Sequence, residues 1–262
     1  MKFLAPAAKV LLMANAALAS PLAARKQAVR DSIRARNSIR HSSRFVGSAN
    51  INGTADVESS NWAGAAISTS GVTEVTGTFT VPKPSVPSGG SSSTEYCGAA
   101  WVGIDGYSDA DLIQTGVLWC IQDGEYLYEA WYEYLPASLV EYSGISVTAG
   151  SVVTVTATKT GTNSGVTTLT SGGTTVTHTF SRQSSSLPGT SAEWIVEDFF
   201  SGNSEVPFAD FGSVTFTGSS AIVSGATVTP GGDGAVNIYL EENGEVLTST
   251  TISGSTVTVD YV

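Results

Sequence analysis

Side chains able to do chemistry fall into three short stretches of this 262-residue chain. The first is Trp101-Val-Gly-Ile-Asp105, followed by Asp109, Asp111 and Gln114-Thr-Gly116. The second runs Glu125-Tyr-Leu-Tyr-Glu129-Ala-Trp131-Tyr-Glu133-Tyr134, and the third is Ala192-Glu193-Trp194-Ile-Val-Glu197-Asp198. Carboxyl groups move protons, a carboxamide offers hydrogen-bond donors at any pH, and aromatic rings line grooves for extended ligands. Histidine chemistry has almost no material to work with. Only His41 and His178 are present, so neither a multi-histidine zinc site nor an HExxH helix can be built, and no metal or cofactor motif is found. A Ser-His-Asp triad would have to use His178, which stands in the run VTHTF with no GxSxG nucleophile motif in the chain. His178 reads as a strand residue.

Charge divides the chain in two. Of twelve basic residues, nine precede Ala55, leaving Lys83, Lys159 and Arg182 against twenty-two acids beyond it, a net charge of −19. A body so acidic cannot supply the cationic phosphate contacts of a nucleic-acid-binding protein. Residues 1–19 combine a cationic start, an apolar stretch and the small-x-small trio ending at Ala19, the pattern of a cleaved secretory signal. No later segment is apolar enough to span a bilayer as a helix, so a secreted, extracellular product is expected. Secretion suits Cys97 and Cys120, the only two cysteines, to a disulfide; two free buried thiols are the alternative. Residues 20–54 carry seven basic residues and one acid, several at four-residue spacing. They read as a basic prosegment that docks on the acidic body and is released when acid protonates its carboxylates; a solvated tail is the alternative. Asn52-Gly53-Thr54 is the one glycosylation sequon.

The elements that must position these groups are strands. From Ser59 onward the chain alternates in runs such as VTEVTGTFTV, SVVTVTATKT, GSVTFTG and STVTVDYV, β-branched and aromatic residues at period two between Gly-rich turns. This predicts an all-β, antiparallel two-sheet sandwich over 55–262, one domain and a monomer. The stretch 82–94, PKPSVPSGGSSST, predicts an exposed loop open to nicking. On a strand, Glu125, Leu127, Glu129, Trp131 and Glu133 face one way and Tyr126, Tyr128, Ala130, Tyr132 and Tyr134 the other. That pattern suits a groove lining, or else a charged edge strand. Glu193, Ile195 and Glu197 share a face on a strand, and helical spacing would also pair the two glutamates. Adjacent carboxyls raise one another's pKa, which suits proton transfer in acid.

Six segments together resemble the glutamic peptidases, or eqolisins, secreted acid endopeptidases. They are Ser60-Asn-Trp62-Ala-Gly64, Trp101-Val-Gly-Ile-Asp105-Gly106, Ile113-Gln114-Thr-Gly-Val117, Ala130-Trp131-Tyr-Glu133, Ala192-Glu193-Trp-Ile-Val-Glu197-Asp198 and Ala209-Asp-Phe-Gly212, in family order from about residue 58 to the C-terminus. The resemblance implies a concanavalin-like or jelly-roll sandwich, synthesis with a signal and prosegment, and a catalytic pair of Glu193 and Gln114. It implies that Trp62 and Trp101 line the substrate cleft, with Asp105, Glu129, Glu133 and Glu197 in the surrounding acidic network. The chain departs from the family pattern at Leu118 and Glu129, where Asp is usual.

The chemistry expected of such a pair is hydrolysis of protein or peptide substrates by an activated water. Glu193 would act as base and then acid, and the Gln114 carboxamide would hold the oxyanion. Two other readings fit a carboxylate-rich, tryptophan-lined sandwich: a secreted jelly-roll glycoside hydrolase working through paired acids, and a non-catalytic carbohydrate-binding sandwich stacking sugars on Trp62, Trp101 and Trp131.

Overall fold

Alternation and glycine punctuation produce strands almost everywhere they were expected. A computed structural model describes residues 56–262 apart from 202, 203 and 233. The signal, the basic segment and the Asn52 sequon lie outside the described residues.

The strands in chain order are β1 (Val57–Ser59), β2 (Trp62–Ser68), β3 (Val72–Thr80), β4 (Tyr96–Ile104), β5 (Ile113–Gln122), β6 (Glu125–Tyr134) and β7 (Val140–Glu141). Then come β8 (Val152–Gly161), β9 (Ser164–Ser171), β10 (Thr174–Phe180), β11 (Ser191–Glu197), β12 (Phe200–Ser201) and β13 (Ser204–Glu205). The last are β14 (Ser213–Val223), β15 (Ala226–Val228), β16 (Val236–Glu242), β17 (Glu245–Val246), β18 (Thr248–Ser253) and β19 (Thr256–Tyr261). No helix occurs among the described residues.

Two sheets form the sandwich. The nine-stranded sheet runs β1-β16-β2-β11-β4-β5-β6-β7, with β17 on β16, and the eight-stranded sheet runs β10-β9-β8-β3-β14-β19-β18, with β15 on β14. Pairing is antiparallel except for β1 on β16. Between the sheets, Ala63, Val102, Val117, Trp194 and Val196 from one meet Phe79, Val153, Leu169, Phe216 and Val257 from the other. Full burial of such side chains is worth about 1.5–3 kcal/mol each, so this layer holds the sheets together. Trp194 adds a direct tie, donating its indole Nε1–H to the Thr76 carbonyl at 2.8 Å.

Strand β6 is covered at its outer edge by β7 only at Trp131 and Tyr132. Its Ala130–Tyr134 face joins the inter-sheet core, whereas Leu127 and Trp131 belong to a second apolar cluster on the far face of the nine-stranded sheet. The 82–94 stretch is anchored more firmly than its composition suggests: Pro82 and Pro84 are buried, and Ser85 donates its N–H to the Asp210 carbonyl at 2.7 Å. Lys83, Ser85 and the tip, 88–93, are exposed. His178 is indeed a strand residue, on β10, stacked on Tyr132 at 3.9 Å between centroids.

Candidate active site

Register decides which side chains meet. Glu193 on β11 pairs with Gly103 on β4, Gly103 with Gln114 on β5, and Gln114 with Glu133 on β6. These four residues form one row across the sheet, and directly opposed residues point to the same face. The next row on that face is Ile195, Trp101, Gly116 and Trp131, and the next is Trp62, Glu197, Ala99, Leu118 and Glu129. Beyond it, Cys97 and Cys120 oppose each other and are joined by a disulfide that staples β4 to β5. Apart from Asp105, every site residue expected from the sequence therefore lies on one face of one sheet.

Glu193 and Gln114 are two strand spacings apart, so their backbones lie about 9.5 Å from each other. Gly103 puts no side chain between them. A Cβ there would stand 2.9 Å from both Leu112 Cδ1 and Trp101 Cζ3, so these two side chains close over the glycine. Gly116 does similar work in the next row, where a Cβ would stand 2.6 Å from Trp101 Cβ and 2.1 Å from the Ala100 carbonyl oxygen.

Hydrogen bonds hold the row's members at defined angles. Gln114 donates its Nε2–H to Glu133 Oε2 at 2.5 Å, while its Oε1 has no partner among the described residues. Trp101 donates Nε1–H to Glu197 Oε2 at 2.8 Å and meets Trp62 edge to face at 4.9 Å. Asp105, at φ 71°, accepts from the Gly189 and Thr190 amides and the Thr190 hydroxyl at 3.0, 2.6 and 3.0 Å. Thr190 Oγ1 also lies 2.5 Å from Asp109 Oδ2. Asp105 thus ties the end of β4 to the start of β11, behind Glu193. Its own carboxyl is held above the usual range chiefly by burial.

Glu193 is fully buried. Burial above all, with smaller pushes from Asp105 and Asp109, holds its carboxyl well above the ordinary value of 4.5. The Ser191 hydroxyl and the Tyr107 amide lie close enough to pull the other way, without forming well-aligned hydrogen bonds to either carboxyl oxygen. Glu197 is not the partner that spacing suggested. Four residues along a strand separate it from Glu193 by about 13 Å, and its bond is to Trp101. Proton retention at Glu193 is thus a desolvation effect rather than a carboxyl-pair effect.

Trp62, Trp101 and Trp131 are completely buried in this structure rather than open to a groove, as are Gln114 and Glu193. Glu129 and Glu133 are buried too, which disposes of the solvated-edge reading of β6. Glu95 lies beside Cys97 and Cys120, but both sulfurs are spent in the disulfide and are not thiolate ligands. Sequence reading gave no part to Gly103, Ser191, Tyr107 or Thr190. The first was visible inside Trp-Val-Gly-Ile-Asp, but its place between Glu193 and Gln114 exists only in the register.

An antiparallel sandwich here sets a carboxyl and a carboxamide on either side of a glycine on one sheet face, groups that can move a proton and donate hydrogen bonds. The Peptidase A4 family matches residues 60–261. Aspergillopepsin-2 of Aspergillus niger is 44% identical over 274 residues, covering 96% of each chain. Among solved structures, scytalido-glutamic peptidase with a transition state analog inhibitor superposes with TM-score 0.70 at 37% identity, over 78% of this chain and 98% of that one. SCP-B, described as a member of the eqolisin family in complex with the tripeptide Ala-Ile-His, gives 0.65 at 36% identity over the same shares. The chain belongs to the Peptidase A4 family, the eqolisins, and is a glutamic-type peptidase.

Proposed function

We propose that this chain is a secreted acid endopeptidase in which Glu193 and Gln114 hydrolyse peptide bonds through an activated water, without metal or cofactor. The observation that carries the reading is the row Glu193–Gly103–Gln114, which aims a carboxyl and a carboxamide over one glycine. A scissile carbonyl above Gly103 would have the Gln114 amide on one side and a water at Glu193 on the other. Glu193 takes the water's proton as it attacks, Gln114 Nε2 donates to the developing oxyanion, and Glu193 returns the proton to the leaving nitrogen. Glu133 is the positioning residue that turns Nε2, rather than Oε1, in a fixed direction.

The neighbour of Glu193 across Gly103 is an amide and not a second acid, which favours this scheme over the paired-carboxyl mechanism of a glycosidase. Buried as it is here, Glu193 keeps its proton. Water entering with the substrate lowers the desolvation cost and shifts the ionisation of Glu193 back toward that of a free glutamate. Both groups are buried, so peptide access requires a rearrangement that opens the face they share. The mature enzyme is the body 55–262, a single monomeric domain freed of the signal 1–19 and basic prosegment 20–54. Trp62 and Trp101 then line the opened cleft, with Asp105, Glu129, Glu133 and Glu197 behind it.

The test is cleavage of a denatured protein at acid pH by the processed protein and by Glu193→Gln and Gln114→Ala. Cleavage by the wild type with near-complete loss in both variants is expected. An active Gln114→Ala enzyme overturns the scheme.

A further inference from the structure

A second group of carboxyls lies at the other end of β11 and takes no part in the row. Asp198 follows Glu197 directly and stands about 16 Å along the strand from Glu193. With Glu205 of β13 and Glu242 of β16 it lines an open cavity of about 290 Å³ walled by Tyr96, Phe208 and Tyr261. Asp198 is 1% exposed, and its Oδ1 and the Glu205 Oε1 are buried without a hydrogen-bond partner among the described residues. The three carboxyls do not form a ready cage for a bare metal ion, since they do not bring one ligating atom each to within 4.8 Å of both others.

An unpaired buried carboxylate is costly, and a cation with several spaced donors relieves it. A guanidinium fits on each count: it is planar, carries five donors in a fork, and stacks on aromatic rings such as Tyr96, Phe208 and Tyr261. Of the three cations beyond Ala55, none lines the cavity. The chain's other basic residues cluster upstream, seven of them within 25–44. Asp56 is already placed beside β16, where Asn237 donates to its Oδ1 at 3.1 Å. The twelve residues from Arg44 to Asp56 span up to about 40 Å when extended, and Glu242 is five residues along β16 from Asn237, roughly 17 Å away.

We propose that the Asp198–Glu205–Glu242 notch is a docking site for an arginine side chain of the chain's own segment 25–44. It anchors that segment at the end of the sandwich remote from Glu193 and Gln114. The inference rests on reading residues 20–54 as a prosegment and gives that segment an address.

The notch also makes docking depend on acidity. Burial, then Glu205, Glu242 and Glu197, push Asp198 well above the usual carboxylate range, and burial and Glu242 push Glu205 up to about 7. The remaining titratable groups facing the cavity or its Tyr261 wall are Tyr96, Asp210 and Glu245, and none is a cation. Near neutrality an entering guanidinium displaces these protons and pairs with the carboxylates. In acid the notch fills with protons and lets go.

The test is amide hydrogen exchange on the chain retaining residues 20–54, compared with a chain whose seven basic residues in 25–44 are replaced by Gln. At pH 7, wild-type segments around 198–208 and 239–248 should exchange about tenfold more slowly, the effect of one charge-assisted contact. At pH 4 the two chains should match. Glu205→Gln with Glu242→Gln should erase the difference while leaving acid peptidase activity intact after processing. Should the multiply substituted chain fail to fold, Arg40→Gln and Arg44→Gln singly serve the same comparison. Protection confined to β5 and β11, absent altogether, or persisting in the double glutamine variant overturns the proposal. Calcium restoring protection in the Gln-substituted chain as fully as arginine does in the wild type would also overturn it. Whether 20–54 is a prosegment at all is read separately, from the mass of the acid-activated enzyme.

Discussion

The outer faces of the two sheets solve the same folding problem with opposite chemistry. On the eight-stranded sheet, Thr217, Thr78, Thr154, Thr170 and Thr175 stand in one cross-strand row, and Ser220, Thr76, Thr156, Thr168 and Thr177 in the next. Their hydroxyls pair with one another: Thr78 with Thr154 at 2.8 Å, Thr76 with Thr156 at 2.9 Å and Thr170 with Thr175 at 2.8 Å. Nothing on that face needs help from elsewhere. On the nine-stranded sheet the corresponding face buries Glu129, Glu133, Glu193 and Glu197 among Trp62, Trp101 and Trp131. There Glu193 is left without a well-formed bond. The threonine face satisfies its polar groups locally; the face proposed to react keeps one carboxyl poorly solvated, which raises its proton affinity.

The comparison can be broken hardest at the poorly solvated carboxyl. Glu193→Gln should lower kcat by about 10²–10⁴-fold, the usual worth of a general acid–base group, and Gln114→Ala by about 10²–10³-fold as an oxyanion donor is lost. Both should leave the unfolding midpoint in acid near that of wild type. A large stability loss with retained turnover would mean these groups serve the fold instead.

A middle-sized effect is expected where site and fold meet. Trp101→Phe removes one buried hydrogen bond to the Glu197 carboxyl, at a cost of about 1–3 kcal/mol. Urea unfolding at pH 4 measures it, and a change below a few tenths would show that Glu197 finds another partner.

The pH dependence sharpens the contrast further. Glu205 rises from the ordinary 4.5 to about 7 through burial and Glu242. A raised carboxyl means the folded state holds a proton the unfolded state has released. Its stabilising contribution is therefore complete below 4.5 and disappears as pH climbs to 7. Glu205→Gln stays neutral throughout, so its stability should fall less steeply over that window. Identical slopes in thermal melts across pH 4.5–7 would remove Glu205 from the account. The smallest effect belongs to the threonine face: Thr154→Val should shift stability by no more than about 0.5 kcal/mol and leave kcat/KM untouched.

Much of the fold was legible because strands declare themselves locally. Runs such as SVVTVTATKT and TTVTHTFS became β8 and β10 through period-two alternation of β-branched residues. The pairing of Cys97 with Cys120 followed from there being no other candidate. The site was legible only in part. Glu193 and Gln114 were visible through their motifs, but spacing alone offered Glu197 as the partner of Glu193, and the sheet separates the two. The anchored, half-buried 82–94 stretch was misjudged in its first half, because proline and serine content says nothing of the Asp210 carbonyl that waits for Ser85.

Composition and local pattern alone indicated an acidic all-β chain with a single histidine after Ala55 and with carboxyls, carboxamides and tryptophans as its candidates for chemistry. Only the tertiary structure placed Gly103 between Glu193 and Gln114, assigned Glu197 to Trp101, and gathered Asp198, Glu205 and Glu242 from three separate strands or their ends. The reason is that a strand's side chains alternate strictly, so which of them become neighbours depends on registers set by partners far away in the chain. A slip of one residue would send each of these groups to the opposite face.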